Sequence, residues 1–163
     1  MESSKKFKIF IILFLVLTNI GCDQVSKKVV RENLKYHDRI EVGTDKFVLI
    51  KVENDGAMLG LGQNLSPFLK KILLQGLPLF FLTAMLSYIL FKSGLDKLFI
   101  IGLTFIIGGG IGNMIDRILY GSVTDFMLID FGLVKTGIFN AADVSVMIGT
   151  GIILLHTIMA DKE

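Results

Sequence analysis

Apolar residues gather in four long blocks, from about Phe7 to Val25, Phe68 to Phe91, Leu98 to Leu119 and Phe139 to Met159. Each block approaches the ~20 residues a helix needs to cross the hydrocarbon core. Helices are the expected form, because lipid offers no partner to a free backbone group. Between the first two blocks the pattern changes. Arg39-Ile40-Glu41-Val42 and Lys46-Phe47-Val48-Leu49-Ile50-Lys51-Val52-Glu53 are rich in β-branched residues and partly alternate, and Gly43-Thr44-Asp45 offers a turn between them. That predicts a small antiparallel sheet outside the membrane, within about residues 36–66. Asn54-Asp55-Gly56 marks a further turn. The sheet segment is too short for a core of its own, so residues 1–163 are expected to form a single integral-membrane domain.

Composition agrees with this picture. Of 163 residues, 52% are hydrophobic and 20% charged, and the mean hydropathy is +0.67, too apolar for an ordinary soluble domain. A net charge of +2 implies no nucleic-acid partner. The single cysteine, Cys22, excludes an internal disulfide, and no His/Cys cluster has metal-ligand spacing. His37 and His156 stand apart from each other and read as surface or interfacial residues.

Polar residues at the ends of the apolar blocks carry the candidate chemistry. Asp125 lies in Val123-Thr124-Asp125-Phe126, and Asp143 in Phe139-Asn140-Ala141-Ala142-Asp143. A carboxylate beside hydrocarbon is costly and defaults to a functional reading. Two such groups suggest a pair that shares one proton and activates a water, as in an aspartic hydrolase. A proton-coupled transporter is the rival reading, but the chain is short, shows no repeat of two halves, and clusters its polar motifs toward one side. Ser145 has no histidine placed to activate it.

On the first helix Asn19, Asp23 and Lys27 recur at i, i+4, i+8 and form one polar stripe. Asp23 and Lys27 also read simply as an ion pair at the helix end. Lys5, Lys6 and Lys8 before an apolar run ending in Asn19-Ile20-Gly21-Cys22 give this segment a second reading, a lipoprotein signal sequence, but an uncleaved helix fits the other three spans better. Gly108-Gly109-Gly110-Ile111-Gly112 lacks the strand and Lys-Ser/Thr of a phosphate loop, and Gly108 and Gly112 suit close helix packing. Ala141, Ser145 and Gly149 form a similar stripe, so spans three and four are expected to pack through these faces. Asn113, Asp116 and Arg117 share a helix face. Arg117 reads as pairing with Asp116 or snorkelling at the interface, and as organising the loop that carries Asp125, two readings that are compatible. Asn140 reads equally as a helix N-cap and as a group that orients substrate or an aspartate.

These motifs, taken in order, resemble the lipoprotein signal peptidases (signal peptidase II) of bacteria, over nearly the whole chain. Asp23-Gln24-Val25-Ser26-Lys27 is similar to that family's D-x-x-S/T-K, and Asn54-Asp55-Gly56-Ala57 to its N-x-G-A. Gly109 to Arg117 resembles G-x-x-G-N-x-x-D-R, Val123 to Phe126 resembles V-x-D-F, and Phe139 to Asp143 resembles F-N-x-A-D. Leu59 departs from the aromatic residue usual two positions after the alanine. The resemblance implies a mainly α membrane protein with four transmembrane helices and a small extracytoplasmic β-cradle. It implies an intramembrane aspartic endopeptidase that cuts diacylglyceryl-modified prolipoproteins just before the lipidated cysteine. Asp125 and Asp143 would be catalytic, with Asp23, Lys27, Asn54, Gly56, Asn113, Asp116, Arg117 and Asn140 supporting substrate and site. No metal or cofactor is implied. The implied partners are prolipoproteins, membrane lipids and globomycin-type inhibitors, and the protein is expected to be a monomer. A non-catalytic lipoprotein-binding factor is the remaining alternative.

Four spans put both termini on one side. The resemblance places the termini in the cytoplasm and the site near the periplasmic face of the bacterial inner membrane. Charge counting argues the other way: excluding Arg117, the terminal side carries six Lys/Arg and the opposite side ten.

Overall fold

The computed structural model describes residues 2–36, 38–43, 46–57 and 60–160, so His37, the Thr44-Asp45 part of the expected turn, Leu59 and Lys162 lie outside the described residues. The chain runs α1 (Glu2–Asn33), β1 (Arg39–Glu41), β2 (Phe47–Asn54), α2 (Pro67–Phe91), α3 (Lys97–Tyr120), β3 (Val123–Ile129) and α4 (Ala141–Ala160). All four helices are long and apolar enough to cross a membrane. Their outward faces carry exposed Phe10, Phe14, Leu17 and Phe80, as lipid-facing surfaces do.

The first helix is longer than the apolar pattern predicts. It continues unbroken past Cys22 to Asn33, which keeps Asp23, Lys27 and Arg31 on one rigid stripe. In α2 the first turns widen into a π segment, Lys71–Gly76, just before Pro78. Proline has no N–H to give and its ring crowds the carbonyl four residues back, so the ladder is rearranged upstream.

The sheet has the order β1-β2-β3 and is antiparallel throughout. The segment expected to form the sheet, about residues 36–66, supplies only two of these strands, and Val123–Ile129 supplies the third. The reason is the end of α3. Gly121 adopts φ +77° and donates its N–H to the Arg117 carbonyl, turning the chain directly from helix into β3. The β2–β3 register sets Asn54 opposite Val123, Glu53 opposite Thr124 and Val52 opposite Asp125. Val30 of α1 and Leu34 just beyond its end pack with Phe126, seating the sheet on the helix ends.

Helix α3 is the centre of the bundle, and its glycine run explains how. Successive residues of a helix point about 100° apart. A Cβ on Gly108 would meet Val16 and Asn19 of α1, one on Gly109 would meet the Ala142 carbonyl and Ser145 of α4, and one on Gly110 would meet Leu82 of α2. Three consecutive glycines thus admit three different helices. Gly112 returns to the α1 side, where its Cβ would strike Asp23. The expected pairing of spans three and four through Gly108 and Gly112 is therefore corrected. Those two face α1, and α4 is met instead by Gly109 and Gly102, the latter set against Gly149. An apolar cluster of Ile12, Val16, Ile89, Ile100, Leu103 and Ile107 fills the opposite half of the bundle.

Gly149→Ala places a Cβ against the Gly102 carbonyl and should cost about 1–3 kcal/mol, the usual penalty of overpacking. Gly151→Ala, which meets nothing within 4 Å, should be neutral or stabilising. Thermal unfolding in detergent checks both.

Candidate active site

Three helix ends and two strands meet at a buried polar cluster. Its foundation is the α1 stripe. Lys27 is fully buried, with Nζ 2.8 Å from Asp23, 3.2 Å from Asp116 and 2.8 Å from the Asn113 Oδ1. Arg31, four residues on, brings Nη2 to 2.8 Å from Asp116 as an ionic approach outside hydrogen-bond alignment, and its guanidinium lies 4.2 Å above the Tyr120 ring. Two carboxylates and two cations thus balance where lone charges would be prohibitive. Gln24 ties the group together by donating to Asp23, Asp116 and the Gly112 carbonyl. The simple Asp23–Lys27 pair is present, but as part of this larger set.

The cluster holds the neighbouring elements in register. The Ala142 N–H donates to Asp23 Oδ1 at 2.9 Å, so α1 accepts one of the free donors at the start of α4. Asn19 completes the stripe by accepting from Ser145 at 2.6 Å.

Above this base sit the two candidate carboxylates. Asn140 is fully buried and occupies the N-cap of α4. Its Oδ1 accepts from the Asp143 N–H, while its own N–H donates to Asp143 Oδ2, both at 3.0 Å. This is the reciprocal arrangement of a capping box. The Asn140 Nδ2 then donates outward, to Asp125 Oδ1 at 2.6 Å and to Asn113 Oδ1 at 3.1 Å. Both readings of Asn140 hold together: it caps the helix and binds both aspartates. Asn113 donates to Asp143 Oδ1 at 2.9 Å, and Asn54 donates to Asp125 Oδ2 at 3.0 Å. Asn54 itself is fixed by an Asx turn in which Gly56 N–H donates to its Oδ1 at 3.0 Å.

Arg117 is not paired with Asp116, which corrects one of the two readings given to it. Asp116 is taken by Lys27 and Arg31, and Arg117 points away to donate to the Gly56 carbonyl at 2.7 Å. It holds the Asn54–Gly56 turn, and through Asn54 it bears on Asp125. A cleft of about 230 Å³ opens beside Asp125, lined also by Val52, Glu53, Asn54, Gln63 and Ile138.

Burial lifts the Asp125 carboxyl to about 6; the Asn54 amide opposes this shift and the nearby Asp143 charge adds to it. By contrast, the exposed Asp55 carboxyl is held below its ordinary value by Lys70, 2.6 Å away.

All ten residues singled out from the sequence lie in or against this one cluster. Four further members were missed: Gln24, Arg31, Glu53 and Thr124. Arg31 was within reach, because it extends the Asn19-Asp23-Lys27 spacing by one more turn. Glu53 and Thr124 depend on strand register. His156 sits at the far end of α4, 3.4 Å from Asp96 and away from the cluster.

Fold and site together define a multi-pass membrane protein with two amide-bound carboxylates at one end of its bundle. The family model described as Signal peptidase (SPase) II matches residues 13–159, and the chain belongs to that family. It is 30% identical to a lipoprotein signal peptidase of Symbiobacterium thermophilum over 151 residues, covering 93% of this chain and 96% of that one. It is 32% identical to a lipoprotein signal peptidase of Listeria monocytogenes over 152 residues, covering 91% and 94%. A solved structure described as a bacterial membrane enzyme superposes with a TM-score of 0.80 at 25% identity, over 91% of this chain and 87% of that one. Membership supports removal of signal peptides from lipoproteins and sets aside the transporter and binding-factor readings.

Lys27→Met leaves buried Asp23 without a cation and Asp116 with Arg31 alone, and should cost about 3–5 kcal/mol. Lys28→Met, which loses only an exposed pair with Glu32, should cost at most about 1 kcal/mol. Denaturant unfolding in micelles distinguishes the two.

Proposed function

We propose that this protein is an intramembrane aspartic endopeptidase with Asp125 and Asp143 as its catalytic pair. The observation that carries the reading is Asn140, which binds both carboxylates at once through its amide and its backbone N–H. The hydrogen bonds that orient the two groups come from neutral donors, and among the described residues neither carboxylate is locked in an ion pair. Two close carboxylates share one proton near neutral pH. The ionised member takes a proton from a water between them, and that water attacks the scissile carbonyl. The protonated member donates to the carbonyl oxygen as charge develops there. Protons then pass to the leaving amine. No step calls for a metal.

The substrate is a diacylglyceryl-modified prolipoprotein, cut just before its lipidated cysteine. Its signal segment lies among the helices while its acyl chains stay in the bilayer, and the sheet clamps it at the interface. Asp23, Lys27, Asn113 and Asp116 hold the frame, Asn54, Gly56 and Arg117 hold the turn beside the cleft, and Asn140 aims the pair. The site faces the periplasm from the inner membrane, the chain acts as a monomer, and globomycin-type cyclic peptides block it.

Purified protein in nanodiscs should cut such a prolipoprotein and be indifferent to EDTA. Asp125→Asn and Asp143→Asn should each lose at least about 10²-fold in rate. Normal cutting by both folded variants would sink the assignment. The pH profile of kcat/KM should bend near 6, where Asp125 titrates. Asn54→Ala removes a donor that favours the charged form, so the bend should move to higher pH; an unmoved or lowered bend would count against the role given to Asn54.

A further inference from the structure

Thr124 precedes Asp125 in β3 and points to the opposite face of the sheet, as adjacent strand residues do. It is fully buried and held at three points. Its N–H donates to Asp116 Oδ2 at 3.2 Å. Its hydroxyl accepts from Arg31 Nε at 2.9 Å and donates its one proton to Glu53 Oε1, also at 2.9 Å. Glu53 is the cross-strand partner of Thr124, and its second oxygen is taken by the Ser122 hydroxyl at 2.7 Å. The hydroxyl therefore forms a directional link from Arg31 of α1 to Glu53 of β2. It joins the charge cluster to the two strands that carry Asn54 and Asp125. Asp125 gains its own amide partners only if β3 sits at this height against α1.

We propose that Thr124, gripped between Arg31 and Glu53, is a positioning residue that aims the Asp125 carboxylate at Asn54 and Asn140. The inference rests on the reading of Asp125 as catalytic. Thr124 never meets substrate; it acts on the reaction through the strand. Thr124 is not among the residues that line the cleft, so losing its hydroxyl loosens the reacting geometry more than it weakens binding.

The test uses the full chain in nanodiscs, with a diacylglyceryl-modified prolipoprotein as substrate and rates scaled to the folded fraction. Thr124→Val keeps volume and strand preference but leaves Arg31 Nε and Glu53 Oε1 without the hydroxyl. Its kcat should fall roughly tenfold while KM stays within about twofold. The bend near pH 6 should move upward, because a carboxylate that drifts from its amide donors is harder to ionise. Thr124→Ser retains the hydroxyl and should recover most of kcat and the original bend. Wild-type kcat and bend in Thr124→Val, or equal losses in the Val and Ser variants with no movement of the bend, would overturn the proposal. Asp125→Asn separates the two levels. If it abolishes cutting while Thr124→Val is normal, the positioning role alone fails; if Asp125→Asn still cuts, the catalytic reading fails and the positioning role with it.

Discussion

The buried ammonium of Lys27 is the constraint on which the rest depends. A cation with no solvent exposure must be surrounded by acceptors, and here those acceptors come from two helices: Asp23 on α1, and Asp116 and Asn113 on α3. Asp23 in turn accepts from the first turn of α4. One side chain thereby fixes the relative height of three helices at a single end of the bundle. Apolar packing alone would do this poorly within a bilayer, where helix surfaces and lipid tails are equally hydrophobic.

From that anchor the orientation of each amide follows. Asn113 gives its oxygen to Lys27 and Asn140, so its Nδ2 is left to serve Asp143. Asn140 gives its oxygen to the Asp143 N–H, so its Nδ2 serves Asp125. The carboxylates are thus sorted by partner. Asp23 and Asp116 meet cations and act as fixed charges. Asp125 and Asp143 meet neutral amides, which orient a carboxyl but leave it free to carry a proton. The same residue type serves as ballast in one layer and as proposed acid or base in the next.

The glycines make this layering possible. With side chains at Gly108, Gly109 and Gly112, α3 would stand too far from α1 and α4 for Asn113 and Asp116 to reach across. The small residues bring the backbones together, and the polar residues a turn later exploit the short distance. Beyond Asp116 the chain turns at Gly121 into β3, so the helix that holds the frame also delivers the strand that carries Asp125.

The sequence by itself determined the four spans, the two-stranded core of the sheet and the polar residues of the site. Hydrophobic length and i, i+4 spacing are local properties, and membrane-embedded charges are rare enough to stand out. Even Arg31 lay on the stripe that the spacing defined. Tertiary structure alone decided the partners. That Asp116 belongs to Lys27 and Arg31 and not to its neighbour Arg117, that Gly108 faces α1 and Gly109 faces α4, and that residues 123–129 pair with β2 all depend on how helices rotate and strands align. A helix pattern shows which residues share a face, but not which face meets which helix. A strand pattern gives alternation, but not register, and register is what sets Thr124 against Glu53. Those relations arise only when distant segments must satisfy one another's buried charges and backbone groups in a medium that offers no water.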